Sequence, residues 1–193
     1  MSLILASNSA IRRAMMAQAG LDFEVASPDF DEESVKERHI GDDAGLARQL
    51  AEGKARSIVT DGDDWVIGSD SVVGVDGVRY SKPRDRQQAA AHLRAFSGRT
   101  MFLSSAVALA MGGQVEWSHA ETARLQVRQL SEDFIQAYLD VEWPEVGYCA
   151  GVFRMEGRGV TLFDRVEGSH FTILGMPLLP LLGALRDRGL APS

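Results

Sequence analysis

The sequence predicts an α/β fold, a mixed twisted sheet flanked by helices, and three observations carry that prediction. Strand-like and helical patterns alternate in both halves of the chain. Two glycine-containing hairpin turns make part of the sheet antiparallel, and no repeat, charge block or low-complexity linker divides the 193 residues. One domain over residues 1–193 is therefore expected, with 45% apolar residues to fill its core.

Leu3 to Ala6 is a short apolar run suited to a buried strand. Ser7-Asn8-Ser9 then supplies turn and cap chemistry for a helical pattern from Ala10 to Ala19, which Gly20 ends. A second helical pattern runs from about Asp43 to Val59, with Leu46, Ala47, Leu50, Ala51, Ile58 and Val59 at helical spacing. Trp65 to Val75 reads as a strand, turned by Asp76-Gly77 into Val78 to Ser81, because Asp-Gly tolerates the positive backbone angles of a tight hairpin. Asp85 caps a third helix through Phe96, stopped by Ser97-Gly98. Strand-like runs from Met101 to Met111 and Gln114 to Gln129 flank Gly112-Gly113, and Ser131 caps a fourth helix to Leu139. Gly147 to Gly168 is glycine-rich and β-like, and Met176 to Arg188 forms a last helix with Gly189 at its end.

A net charge of -7 disfavours a protein that coats nucleic acid or anionic membrane, since such binding rests on many Lys and Arg contacts to phosphates. The single cysteine, Cys149, cannot form an internal disulfide, and the N-terminus lacks the pattern of a signal peptide, which points to the cytoplasm. The longest apolar stretch, Thr172 to Leu185, is too short to span a bilayer. His39, His92, His119 and His170 are dispersed and show no zinc spacing. Walker, dinucleotide-binding and nucleophile-elbow motifs are absent, which disfavours a kinase, a dinucleotide enzyme and an α/β-hydrolase.

Several charges sit where packing alone would not put them. Arg12 and Arg13 lie in the first turn of a helix, where cations oppose the dipole; with Ser7, Ser9 and free backbone N–H groups they make a place for phosphate oxygens, or else are two solvated arginines. Lys54 falls among Leu46, Ala47, Leu50 and Ile58 on the apolar helix face, as a buried functional cation or a snorkelling one. Asp70 interrupts the apolar run Val66–Val73, which suits a metal ligand or general base, with a structural ion pair as the competing reading. Lys82 is held extended by Pro83 and can aim at a ligand or remain a surface lysine. Asp31, Glu32 and Glu33 form an acidic cluster that could help hold Mg²⁺ or be an ordinary loop run.

Taken together, these stretches resemble the Maf family of nucleoside triphosphate pyrophosphatases along nearly the whole chain. The resemblance is carried by Leu5-Ala6-Ser7-Asn8-Ser9 with Arg12-Arg13, Asp31-Glu32, Lys54-Ala55, Ile67-Gly68-Ser69-Asp70-Ser71-Val72-Val73, Lys82-Pro83 and Ser97-Gly98-Arg99. Ala150-Gly151, Glu167-Gly168 and Leu174-Gly175-Met176-Pro177-Leu178 continue it. It implies two lobes with a nucleotide-binding cleft, as in inosine triphosphate pyrophosphatases, frequent homodimers, and hydrolysis between the α and β phosphates with Mg²⁺ or Mn²⁺. By resemblance Asp70 is the general base, aided by Lys54 and Lys82. Ser7, Ser9, Arg12, Arg13, Lys54 and Lys82 face phosphate, and Asp31 and Glu32 join Asp70 around the metal.

Within the family, Cys149-Ala150-Gly151, Glu156-Gly157 and Gly159-Val160-Thr161-Leu162-Phe163 look like the branch that hydrolyses 7-methyl-GTP. Ile11 stands where that branch tends to carry tryptophan, and Ser71 where it tends to carry glutamine; these two and Glu156 are the expected base-selecting positions. A carboxylate at Glu156 suits a methylated guanine, which is cationic and presents N–H donors. The alternatives are the dTTP/UTP branch of the family and a non-catalytic nucleotide-binding regulator of cell division. A ligand-free interaction domain would leave every misplaced charge a coincidence.

Overall fold

The computed structural model describes residues 2–60 and 62–191; residues 1, 61, 192 and 193 of the expected domain lie outside them. The described strands are β1 Leu3–Ala6, β2 Glu24–Ala26, β3 Trp65–Val75, β4 Val78–Tyr80, β5 Thr100–Met111, β6 Gln114–Val127 and β7 Phe163–Glu167. The helices are α1 Ala10–Gln18, α2 Glu32–Arg38, α3 Asp43–Arg56, α4 Arg86–Phe96, α5 Glu132–Glu142, α6 His170–Ile173 and α7 Leu178–Arg186. The strands form one sheet in the order β2-β1-β3-β5-β6-β7, with β4 paired to β3. β1 runs parallel to both β2 and β3, whereas β3–β4 and β6–β7 are antiparallel, so the sheet is mixed as the turn signals predict.

The chain divides into two compact units. The first comprises the chain through Ser71, Ser104–Thr122 and the chain from Ser169; the second comprises Val72–Leu103 and Ala123–Gly168. In the first, β1 and the opening of β3 are buried and read as continuous apolar runs, with Leu5 paired to Ile67 and Ala6 to Gly68. Leu5, Met16, Ile67, Leu109, Met176 and Leu181 fill its core. In the second, α4 packs on α5, and Leu93, Phe96, Met101, Leu125, Ile135 and Leu139 are buried.

Caps fall where the sequence places them: Asp85 accepts from Gln88 N, and Ser131 from Phe134 N. Four expectations are corrected. The second helix ends at Arg56 rather than Val59, which is 93% exposed. Helix α7 starts at Leu178, after Pro177, and ends at Arg186. Only Phe163–Glu167 of the glycine-rich segment is a strand; Glu145–Tyr148 and Arg158–Leu162 are 3-10 turns. Finally, α2 forms where a loop was read. It buries no residue, so it leaves no apolar stripe in the sequence; Asp31 caps it, and its acidic first turn and basic last turn suit the dipole.

One close approach sets where the site is built. At Gly68 a Cβ would collide with Ala51 O and lie 2.5 Å from Ala55 N, so the backbone of α3 rests directly on β3. Replacing Gly68 by Ala should therefore cost about 3 kcal/mol or more, because backbone must move. Gly77→Ala, at φ 77° but in open space, should cost only about 1 kcal/mol. Urea-denaturation midpoints of the two variants measure the difference.

Candidate active site

Because α3 touches β3 at Gly68, Lys54 on the helix meets Asp70 two residues further along the strand. Its Nζ lies 2.9 Å from Asp70 Oδ2 and 2.9 Å from Glu32 Oε1, and both Lys54 and Asp70 are largely buried. The ring of Phe30 packs where a Cβ at Gly53 would stand, which seats α2 on α3 and brings Glu32 to the lysine. Lys54 is therefore neither snorkelling nor free: it joins two carboxylates from two other elements. Burial opposes ionisation of Asp70, but Lys54 and Arg12, with the amide of Ser71 donating to Oδ1 at 2.7 Å, hold it below the usual carboxylate range.

Arg12 and Arg13, adjacent in sequence, have opposite fates. Arg13 is exposed, and its guanidinium has no partner among the described residues. Arg12 is 9% exposed and turned inward. Its Nε donates to Gly175 O at 2.9 Å, Nη1 to Ser69 O at 2.9 Å and Ser7 Oγ at 3.4 Å, and Nη2 to Ser71 Oγ at 3.2 Å. Arg12, expected to face phosphate, directs its fork at Ser7, strand β3 and the turn before α7. Burial pushes its pKa down, opposed by Asp70 and Glu32.

The serines surround this guanidinium. Ser9 caps α1, accepting from Arg12 N, and Ser7 Oγ also accepts from Ser9 N, which leaves both hydroxyl protons able to turn toward an anion. Ser71 Oγ lies 2.8 Å from Ser105 Oγ and donates to Gly175 O at 3.2 Å; Ile11 is half-buried in the first turn of α1. The carbonyl of Gly175, a residue at φ 107°, accepts from Arg12 Nε, with the Ser69 and Ser71 hydroxyls each 3.2 Å away; Ser69 Oγ also donates to Ala106 O at 2.8 Å. Ser69, Ser105 and Gly175 were not singled out from sequence, because a serine in an apolar strand signals only that some partner exists.

Of the acids expected at a metal, the structure brings Glu32 and Asp70 to one cation and leaves Asp31 apart. Asp31 Oδ1 accepts from Ser34 N at 3.1 Å and Oδ2 from Ser34 Oγ, a capping role that holds its pKa below the ordinary value. Among the described residues no three His, Cys, Asp or Glu side chains form a metal-binding group.

Lys82 and Glu156 belong to the second unit. Both are exposed, Lys82 beside the buried Pro83 and Glu156 in a turn before the 158–162 3-10 segment. Both charges act on the Cys149 thiol, which burial first and then Glu156 push up and Lys82 pulls down.

Residues 2–188 match the family described as Maf-like protein. A nucleoside triphosphate pyrophosphatase of Nitrobacter hamburgensis (strain DSM 10229 / NCIMB 13809 / X14) is 46% identical over 191 residues, covering 97% of this chain and 94% of the relative. A 7-methyl-GTP pyrophosphatase of Rhizobium meliloti (strain 1021) is 42% identical over 191 residues, covering 97% and 96%. Among solved structures, the Staphylococcus aureus Ham1 protein shares the fold at a TM-score of 0.50 and 13% identity, covering 98% of this chain and all of that one.

Two measurements separate the paired and free charges. Arg12→Ala should lower stability by about 3 kcal/mol or more, since it empties a buried site and takes the guanidinium donors away from the Ser69 and Gly175 carbonyls, while Arg13→Ala should stay within about 0.5 kcal/mol. Thermal melts report both. Asp70, depressed when folded, adds stability that is complete above its unfolded value of about 3.9 and is lost as pH falls through the lower folded value. Denaturation curves from pH 5 downward should show that loss, and Asp70→Asn should remove it.

Proposed function

The chain belongs to the Maf family, and from that premise we propose that it hydrolyses a nucleoside triphosphate to the monophosphate and pyrophosphate, with 7-methyl-GTP as its substrate. The observation that carries the chemistry is the Glu32–Lys54–Asp70 arrangement: an ionised carboxylate in a buried strand, held by a lysine that is itself within reach of a second acid. The 7-methyl-GTP assignment is supported by Glu156 and by relatives of that name, including one from Rhizobium etli (strain ATCC 51251 / DSM 11541 / JCM 21823 / NBRC 15573 / CFN 42).

Arg13, Lys54 and Lys82 supply cations for the triphosphate, and the hydroxyl protons of Ser7 and Ser9, with the start of α1, supply donors. Asp70 accepts the proton of the attacking water as the bond between the α and β phosphates breaks. The pairing with Lys54 gives this step a trigger. When the ammonium turns from Asp70 toward phosphate, the carboxylate loses one of the charges that oppose the effect of burial, and its basicity rises.

The same residues fit a divalent cation. Glu32 Oε1 and Asp70 Oδ2 already converge on one positive centre, each 2.9 Å from Lys54 Nζ, and carboxylate oxygens suit Mg²⁺ or Mn²⁺, which commonly use one or two of them with substrate phosphates. When bound, the ion supplies charge for the developing phosphate oxyanions.

The test is pyrophosphate release from 7-methyl-GTP, GTP, dTTP, UTP and CTP with Mg²⁺. Preference for 7-methyl-GTP is expected; preference for dTTP or UTP would move the chain to that branch and make Ile11 and Ser71 the residues to exchange. Bound triphosphate that persists uncut would favour the regulatory reading. Asp70→Asn should lower kcat by about 10²- to 10⁴-fold with nucleotide binding retained, and wild-type turnover in that variant would remove Asp70 from the chemistry. Chelation of the metal should abolish turnover, and added Mg²⁺ should restore it.

A further inference from the structure

The second unit holds a carboxylate that the proposed chemistry leaves unused. Glu142 is the last residue of α5 and is 5% exposed. An anion at a helix C-terminus faces the negative pole of the dipole, and burial penalises it again, so local preference opposes this residue twice. What offsets those costs is its grip on one turn. Glu142 Oε2 accepts from Arg154 Nη2 at 3.3 Å, and Oε1 accepts from Arg158 N at 3.4 Å.

Between these two anchors the chain is tightly folded. Gly157 N donates to Arg154 O at 3.1 Å, and a Cβ on Gly157 would stand 3.4 Å from Glu142 Oε2. Gly159 is pressed against the backbone of Arg154, where a Cβ would come within 2.5 Å of its oxygen. The one carboxylate exposed in this turn is Glu156. One helical turn before Glu142, the Tyr138 hydroxyl donates to Val152 O at 3.1 Å. Val152 is buried at φ 54°, a backbone conformation that β-branched residues avoid and that only surrounding contacts sustain. The face of α5 that carries Tyr138 and Glu142 thus holds both ends of the segment leading to Glu156.

We propose that Glu142 is a positioning residue for nucleobase selection: through the Arg154 guanidinium and the Arg158 amide it fixes the turn that presents Glu156. The proposal rests on the reading of Glu156 as the group that recognises the base. A carboxylate that reads N–H donors discriminates only while it is held in place, because a reader free to move accepts either base equally.

The experiment is a double-mutant cycle on the full chain, with kcat and KM measured for 7-methyl-GTP and GTP in wild type, Glu142→Gln, Glu156→Gln and the double variant. Glu142→Gln should lower the preference for 7-methyl-GTP by about tenfold, chiefly through KM, and should add nothing once Glu156 is replaced. Arg154→Gln, which breaks the same pair from a side chain that is 34% exposed, should reproduce the effect if Glu142→Gln folds poorly. A merely structural role predicts instead that turnover of both nucleotides falls in parallel with thermal stability. Unchanged preference in Glu142→Gln and Arg154→Gln, or additive effects in the double variant, would overturn the positioning role while leaving Glu156 as reader. Wild-type preference in Glu156→Gln, or no turnover of either guanine nucleotide, would overturn both.

Discussion

Everything at the candidate active site depends on how closely α3 approaches β3. The absence of a side chain at Gly68 lets the helix backbone lie against the strand, and that spacing puts Lys54 at hydrogen-bonding distance from Asp70. A strand carboxylate without the lysine would be a buried, uncompensated charge, and the lysine without the carboxylate would be a cation on an apolar helix face. Each makes the other tolerable, and Glu32 draws α2 to the same point. The pair is better understood as a poised charge arrangement than as a source of stability, because a buried ion pair recovers little beyond its own desolvation cost.

Arg12 organises the other side of the same strand. One guanidinium joins α1, strand β3 through the carbonyl of Ser69 and the hydroxyl of Ser71, and the turn at Gly175, so three segments distant in sequence share one rigid hydrogen-bonding fork. The strand that carries Asp70 is thus held from α3 by Lys54 and from α1 by Arg12, and both cations keep the carboxylate ionised. The neighbouring Arg13 meets no such set of acceptors and keeps its charge at the surface. A rotation of about 100° around the helix axis separates two adjacent identical residues into one turned inward and one turned outward.

Much of this was legible from the chain. Alternating patterns, Asp-Gly and Gly-Gly turns and the caps at Asp85 and Ser131 are local signals, and the elements they announce are present. The elements that went unread were those without a local signal: α2 buries nothing, β2 has only three residues, and the segment after α5 looks β-like by composition while its glycines serve close packing. The oddly placed charges were also legible, since Lys54 on an apolar face and Asp70 in an apolar strand each violate a burial rule that needs no partner to be recognised.

The sequence by itself determined the mixed α/β class, the succession of most elements and the short set of residues whose placement demands a chemical reason. Only the tertiary structure decided how those residues are spent: Arg12 inward and Arg13 outward, Asp31 as a cap, Glu32 and Asp70 on one lysine, and Glu142 beneath the turn of Glu156. The physical reason is that propensity, turn chemistry and periodicity act over a few neighbouring residues. The partner of a buried charge comes from wherever the chain returns, and here that return spans up to 163 residues, from Arg12 to Gly175.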